Sequence, residues 1–109
     1  MSQIVIQNLK KRKINTNRKD MKILRIIHEN FIDWLHSCGG KGKCTSCKMN
    51  VLEGKELLNP PTDFEIKCLS RGLLIDSQRL ACSCHFENDG NLVISVPRDT
   101  QMKHLVYEE

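Results

Sequence analysis

Cys38-Gly39-Gly40-Lys41-Gly42-Lys43-Cys44-Thr45-Ser46-Cys47 is the stretch that decides how this chain reads. It sets three thiols in a C-x5-C-x2-C pattern around a run of glycine and lysine. Thiolates are soft ligands that suit iron or zinc in tetrahedral geometry. Gly39, Gly40 and Gly42 permit positive φ, so the backbone can pass close to a bulky bound group where a Cβ would clash. Their amide N–H groups, with the hydroxyls of Thr45 and Ser46, are donors suited to sulfur that carries negative charge. A further thiol, Cys82, lies downstream in Arg79-Leu80-Ala81-Cys82.

Three thiols on one glycine-rich loop plus one distant thiol is a ligand arrangement of a binuclear iron–sulfur cluster, and it implies electron transfer. Cys84 leaves the distant ligand open, because in an extended segment Cys82 and Cys84 point to the same side. Cys68 follows Phe64 by one helical turn and reads as an apolar helix position. His28, His36, His85 and His104 lack the paired Cys/His motifs that a Rieske centre needs, and read as polar surface. The alternative is a structural zinc module, with Cys44, Cys47, Cys82 and Cys84 as a four-thiolate site. Lys10-Lys11-Arg12-Lys13 would then be an interaction patch for another macromolecule. That alternative leaves Cys38 and the three glycines without a purpose.

A length of 109 residues predicts one domain spanning 1–109. No apolar run approaches the roughly 20 residues of a membrane span. The start, Met1 to Gln7, lacks the basic and apolar regions of a secretory signal, which predicts a reducing cytoplasm where thiols stay free for metal. Six cysteines permit a disulfide framework, but that compartment and the tight Cys-x-x-Cys spacing favour metal. The formal charge of +4 falls to roughly +2 once four thiolates and an oxidised diiron core are counted. That weakens any argument for nucleic-acid binding from net charge alone. No nucleophile–base pair is visible, so the chain is not read as an enzyme.

The pattern of residues predicts a strand over 3–9, a basic turn and a second strand, then a helix capped by Asp20. Ile23, Ile26, Ile27 and Phe31 share one face of that helix, and Asn30 is the residue suited to end it in the left-handed conformation. Phe31 and Trp34 are expected in the core beside the cysteine loop. A short strand follows over 48–52. Thr62-Asp63-Phe64-Glu65 is a capping box that opens a helix ending near Gly72. Leu92 to Val96 reads as the clearest late strand, closed by Pro97. The order predicts an α+β layout, a small mixed sheet with one main helix across it.

On the loop motif, Lys48-Met49-Asn50-Val51-Leu52-Glu53-Gly54 and Arg79-Leu80-Ala81-Cys82, the chain resembles [2Fe–2S] ferredoxins of the β-grasp fold. The five-residue first gap is similar to adrenodoxin-like and bacterial members, and the Gly-Gly-Lys-Gly-Lys stretch to those of the Bacteroidota type. The resemblance implies Cys38, Cys44, Cys47 and Cys82 as ligands of one [2Fe–2S] cluster. It implies a one-electron carrier fed by a ferredoxin reductase or another electron-donating oxidoreductase. Acceptors would be redox enzymes or the cluster-assembly machinery, with no nucleic acid or membrane as partner and the chain a monomer. Such ferredoxins are usually acidic, whereas this chain is net basic. By resemblance the docking segment runs from Glu53 to Asp76, with five acidic and three basic residues, and salt should weaken docking there.

Overall fold

Alternating apolar residues build the sheet, since every second side chain of a strand faces the same way. In the computed structural model, residues 2–17, 21–32, 34 and 47–97 are described. Strand β1 (Ser2–Ile6) buries Ile4 and Ile6, and β2 (Arg12–Thr16) buries Ile14 opposite Ile4. Strands β3 (Lys48–Glu53), β4 (Gln78–Leu80) and β5 (Asn91–Ser95) complete a five-stranded mixed sheet in the order β2-β1-β5-β3-β4. Among the described strands only β1 and β5 pair in parallel; Ile4 lies beside Leu92 and Ile6 beside Ile94. Met49 and Val51 of β3 extend the buried face, which helix α1 (Ile23–Glu29) covers with Ile23, Leu24, Ile26 and Ile27. This is the predicted α+β architecture.

The hairpin joining β1 to β2 forms without the Asn-Gly or Gly-Gly pair that favours such turns. Lys10 and Lys11 take positive φ, at 56° and 52°, and the Arg12 N–H closes the turn on the Leu9 carbonyl at 3.1 Å. Asn8 then acts as a surrogate strand residue: its side chain donates to the Val96 carbonyl and accepts from the Val96 N–H, both at 2.9 Å.

Helix α1 departs from its expected ends. Asp20 lies outside the described residues, and the N-cap is Lys22, which makes no side-chain cap. Asn30 is not left-handed, with φ −95°. Phe31 takes that conformation instead, at φ 61°, while the Phe31 and Ile32 N–H groups bond back to His28 and Ile27. These two bonds form the paired C-terminal closure in which glycine normally occupies the left-handed position. The Phe31 side chain is thereby thrown outward and is 93% exposed, so it is not the core residue its spacing suggested. Phe31→Gly is therefore expected to stabilise the fold by about 1 kcal/mol, because a side chain is disfavoured there. A fall in the thermal midpoint would contradict this.

The second helix, α2 (Asp63–Ser70), follows its sequence signals. Thr62 caps the Glu65 N–H and Glu65 returns a bond to the Thr62 N–H. Gly72 ends the helix at φ 74°, with the Leu73 N–H on the Cys68 carbonyl at 2.9 Å. Cys68 is buried as expected.

Candidate metal centre

Two cysteines leave the same end of neighbouring strands. Cys47 immediately precedes β3 and Cys82 follows β4 by two residues, while Lys48 pairs with Leu80 in the antiparallel ladder. The Ala81 N–H donates to the Cys47 carbonyl at 3.2 Å and extends this pairing past the strands. The outcome is a Cys47 Sγ to Cys82 Sγ separation of 3.2 Å, with both residues buried. Two thiolates about 2.3 Å from one tetrahedral metal ion lie ~3.7 Å apart, so this pair fits a shared metal after a small adjustment. Cys38 and Cys44 lie outside the described residues.

Cys84 goes elsewhere. Sequence parity would send it the way of Cys82, but residues Ala81–Ser83 form a turn of 3-10 helix rather than continuing the strand. The Cys84 sulfur ends 4.0 Å from Glu65 Oε2, and burial pushes its thiol up. Cys82 Sγ instead lies 3.2 Å from Cys47 Sγ and 3.8 Å from the Ser83 hydroxyl.

The segment that carries Cys82 is clamped from three sides. Arg79 makes a two-point ion pair with Glu65, at 2.7 Å from Nε to Oε2 and 3.0 Å from Nη2 to Oε1. Glu65 Oε2 also accepts the Leu80 N–H at 2.9 Å, and Arg79 Nη1 donates to the Asn59 carbonyl at 2.8 Å. Asn59 in turn donates to the Ser83 carbonyl at 3.1 Å and accepts the His85 N–H at 2.8 Å. From the third side the Ile23 N–H, in the first turn of α1, donates to the Cys84 carbonyl at 2.8 Å. Burial pushes the Glu65 carboxyl up, but Arg79 and the Thr62 and Leu80 N–H groups outweigh it and hold the carboxyl below its ordinary value. Arg79 loses hydration by burial, yet Glu65 holds its guanidinium above the ordinary value.

Cys47 has its own support. Trp34 is buried, as its sequence position suggested, and its indole N–H donates to the Cys47 carbonyl at 3.1 Å. The His28 ring nitrogen Nε2 lies 3.4 Å from the Trp34 carbonyl, which links α1 to this contact. The His85 ring is 3.8 Å from Glu87, while His36 and His104 lie outside the described residues. The buried Glu65–Arg79 pair is the feature that sequence reading missed. Glu65 was visible as a capping residue, and the one hint of its second role was an arginine directly before the apolar Leu80-Ala81.

Among the described residues no helix is long and apolar enough to cross a membrane. The profile of the 2Fe-2S iron-sulfur cluster binding domain matches residues 5–87. A protein named 2Fe-2S ferredoxin-5 from Aquifex aeolicus is 36% identical over 77 residues, which cover 69% of this chain and 79% of that protein. The solved ISC-like [2Fe–2S] ferredoxin FdxB of Pseudomonas putida superposes with a TM-score of 0.75 at 25% identity, over 90% of this chain and 94% of that one. A ferredoxin reductase in carbazole 1,9a-dioxygenase contains a region of the same fold, with TM-score 0.67 and 24% identity, covering 88% of this chain and 27% of that one. The buried thiol pair at the strand ends, the β-grasp sheet and these matches lead to one family: this chain belongs to the 2Fe-2S iron–sulfur cluster binding domain family, as a small electron carrier of the ferredoxin type.

Proposed function

We propose that Cys38, Cys44, Cys47 and Cys82 hold the cluster, and that the chain passes single electrons without bond chemistry of its own. The observation that carries this is the buried Cys47–Cys82 pair at 3.2 Å, held at the ends of two hydrogen-bonded strands. When bound, a [2Fe–2S] cluster takes up and gives back one electron. The protein supplies thiolates and fixes their positions. Trp34 pins the Cys47 backbone, and the Glu65–Arg79 pair, Asn59 and α1 pin the segment around Cys82. A rigid ligand frame favours electron transfer because little has to move when the charge changes.

The donor is a ferredoxin reductase or another oxidoreductase, and the acceptors are redox enzymes or the cluster-assembly machinery. A reductase that carries a region of this fold supports the first pairing. The chain acts as a single domain over 1–109, a monomer in the cytoplasm, without nucleic acid or membrane as partner. Coulometric titration of the holo-protein tests the carrier reading. Uptake of one electron per chain is expected; zero or two would contradict it.

A further inference from the structure

We infer that the basic hairpin turn Lys10-Lys11-Arg12-Lys13 is a docking contact for an acidic face on a redox partner protein. The inference rests on the carrier reading above. Four consecutive cations are exposed here, and among the described residues none of them pairs with a carboxylate.

The strand registers bring this turn to the cluster end of the sheet. Ile6, the last residue of β1, lies beside Ile94; Ser95 pairs with Asn50; Lys48 pairs with Leu80. The end of β1, the end of β5, the start of β3 and the end of β4 are therefore one edge of the molecule. Gln7 and Asn8 are tied to the same edge through Ile94 and Val96. Cys47 and Cys82 emerge from it. With strands about 4.8 Å apart, β1 and β2 stand roughly 10 and 14 Å across the sheet from β3. At low ionic strength, where the screening length reaches about 30 Å, charge on the turn acts on encounters at the cluster edge, and at high salt it is screened out.

Blunting of a sheet edge explains Arg12 and Lys13, which lie in the edge strand β2. It does not explain Lys10 and Lys11, which stand outside the ladder at positive φ, where Asn and Gly fit better. On α2 and the loop after it, by contrast, exposed charge is balanced: Asp63 and Asp76 against Lys67 and Arg71, with Glu65 buried in its ion pair. The acidic bias read from the segment Glu53 to Asp76 is thus weakened at α2, and the strongest single-sign surface among the described residues is the turn. A cation-rich edge selects an acidic protein surface and steers its approach.

Two haem proteins of opposite charge serve as probes: acidic cytochrome b5 and basic cytochrome c, each reduced by the dithionite-reduced holo-protein in stopped flow. Lys10→Asn/Lys11→Gly restores the favoured turn pair and removes two charges; Lys67→Gln/Arg71→Gln removes two charges from the α2 side. Iron content is measured on every variant first. At low salt the turn variant should reduce cytochrome b5 roughly three- to tenfold more slowly, with the gap closing at high salt. Its rate with cytochrome c should not fall, and its equilibrium binding to cytochrome b5 should weaken in parallel. An equal or larger effect from the α2 variant would overturn the inference. So would an unchanged cytochrome b5 rate in the turn variant, with or without a loss of affinity for a DNA duplex. If neither haem protein is reduced by iron-loaded wild-type protein, the carrier reading itself has failed, which is a separate result.

Discussion

Cys82→Ser is expected to remove the cluster from this protein, and Cys84→Ser to leave it in place. The two thiols are two residues apart and both buried, so neither exposure nor sequence spacing separates them. Their directions do. The turn of 3-10 helix at Ala81–Ser83 leaves Cys82 Sγ 3.2 Å from Cys47 Sγ and Cys84 Sγ 4.0 Å from the Glu65 carboxylate. A ligand thiol must reach the metal as a thiolate. Cys84 stands instead against a carboxylate, an acceptor that favours its protonated form. Visible absorbance and iron per chain report the outcome. Cys82→Ser should lose most of the roughly two irons of the wild type, and Cys84→Ser should keep them. The reverse pattern would reassign the fourth ligand from Cys82 to Cys84.

Arg79→Leu should cost about 3–5 kcal/mol of stability at neutral pH, because it strands a buried carboxylate without its partner. Glu65 is 1% exposed and Arg79 2%. Glu65 accepts from Arg79, Thr62 and Leu80, so one side chain joins the cap of α2 to the strand that leads into Cys82. In the wild type the Glu65 carboxyl is held below its ordinary value. Its contribution is therefore complete above the unfolded carboxylate pKa of about 4.3, and is lost only as pH falls through the lowered folded value. Without Arg79, burial dominates and raises the folded pKa. The variant then gains stability as pH falls toward that raised value. The gap between wild type and Arg79→Leu should shrink between pH 7 and pH 5, as followed by denaturant midpoint. Adding Glu65→Gln to Arg79→Leu should recover part of the loss, since the uncompensated charge is gone. A constant gap across that range, or a double variant worse than the single, would show that the pair does not act in this way.

The fold was legible where local chemistry acts alone. The capping box at Thr62–Glu65 and the stop at Gly72 were readable because cap geometry is set within a few residues. Strand β5 followed from its apolar run before Pro97. What failed depended on tertiary context. Asn30 was the better left-handed residue by propensity, yet Ile32 must be buried and this fixes the closure at Phe31. The hairpin through Lys10 and Lys11, by contrast, was legible from the apolar residues on either side of the basic run, although its turn lacks the favoured Asn-Gly pair.

The site was legible to the extent that thiol spacing speaks. Cys47 and Cys82 meet, and Trp34 is buried with its indole N–H on the Cys47 carbonyl. Strand parity could not choose between Cys82 and Cys84, and only the resemblance carried by Arg79-Leu80-Ala81-Cys82 favoured Cys82; the turn of 3-10 helix that parts the two thiols has no such signal in the sequence. The Glu65–Arg79 pair joins residues 14 apart in sequence, and no periodicity announces a contact of that kind.

Iron, sulfide and zinc content of the anaerobically purified protein, with EPR of the dithionite-reduced sample, tests the central claim most directly. About two irons and two sulfides per chain with a spin-half signal are predicted. Stoichiometric zinc with neither sulfide nor signal would contradict the electron-carrier assignment.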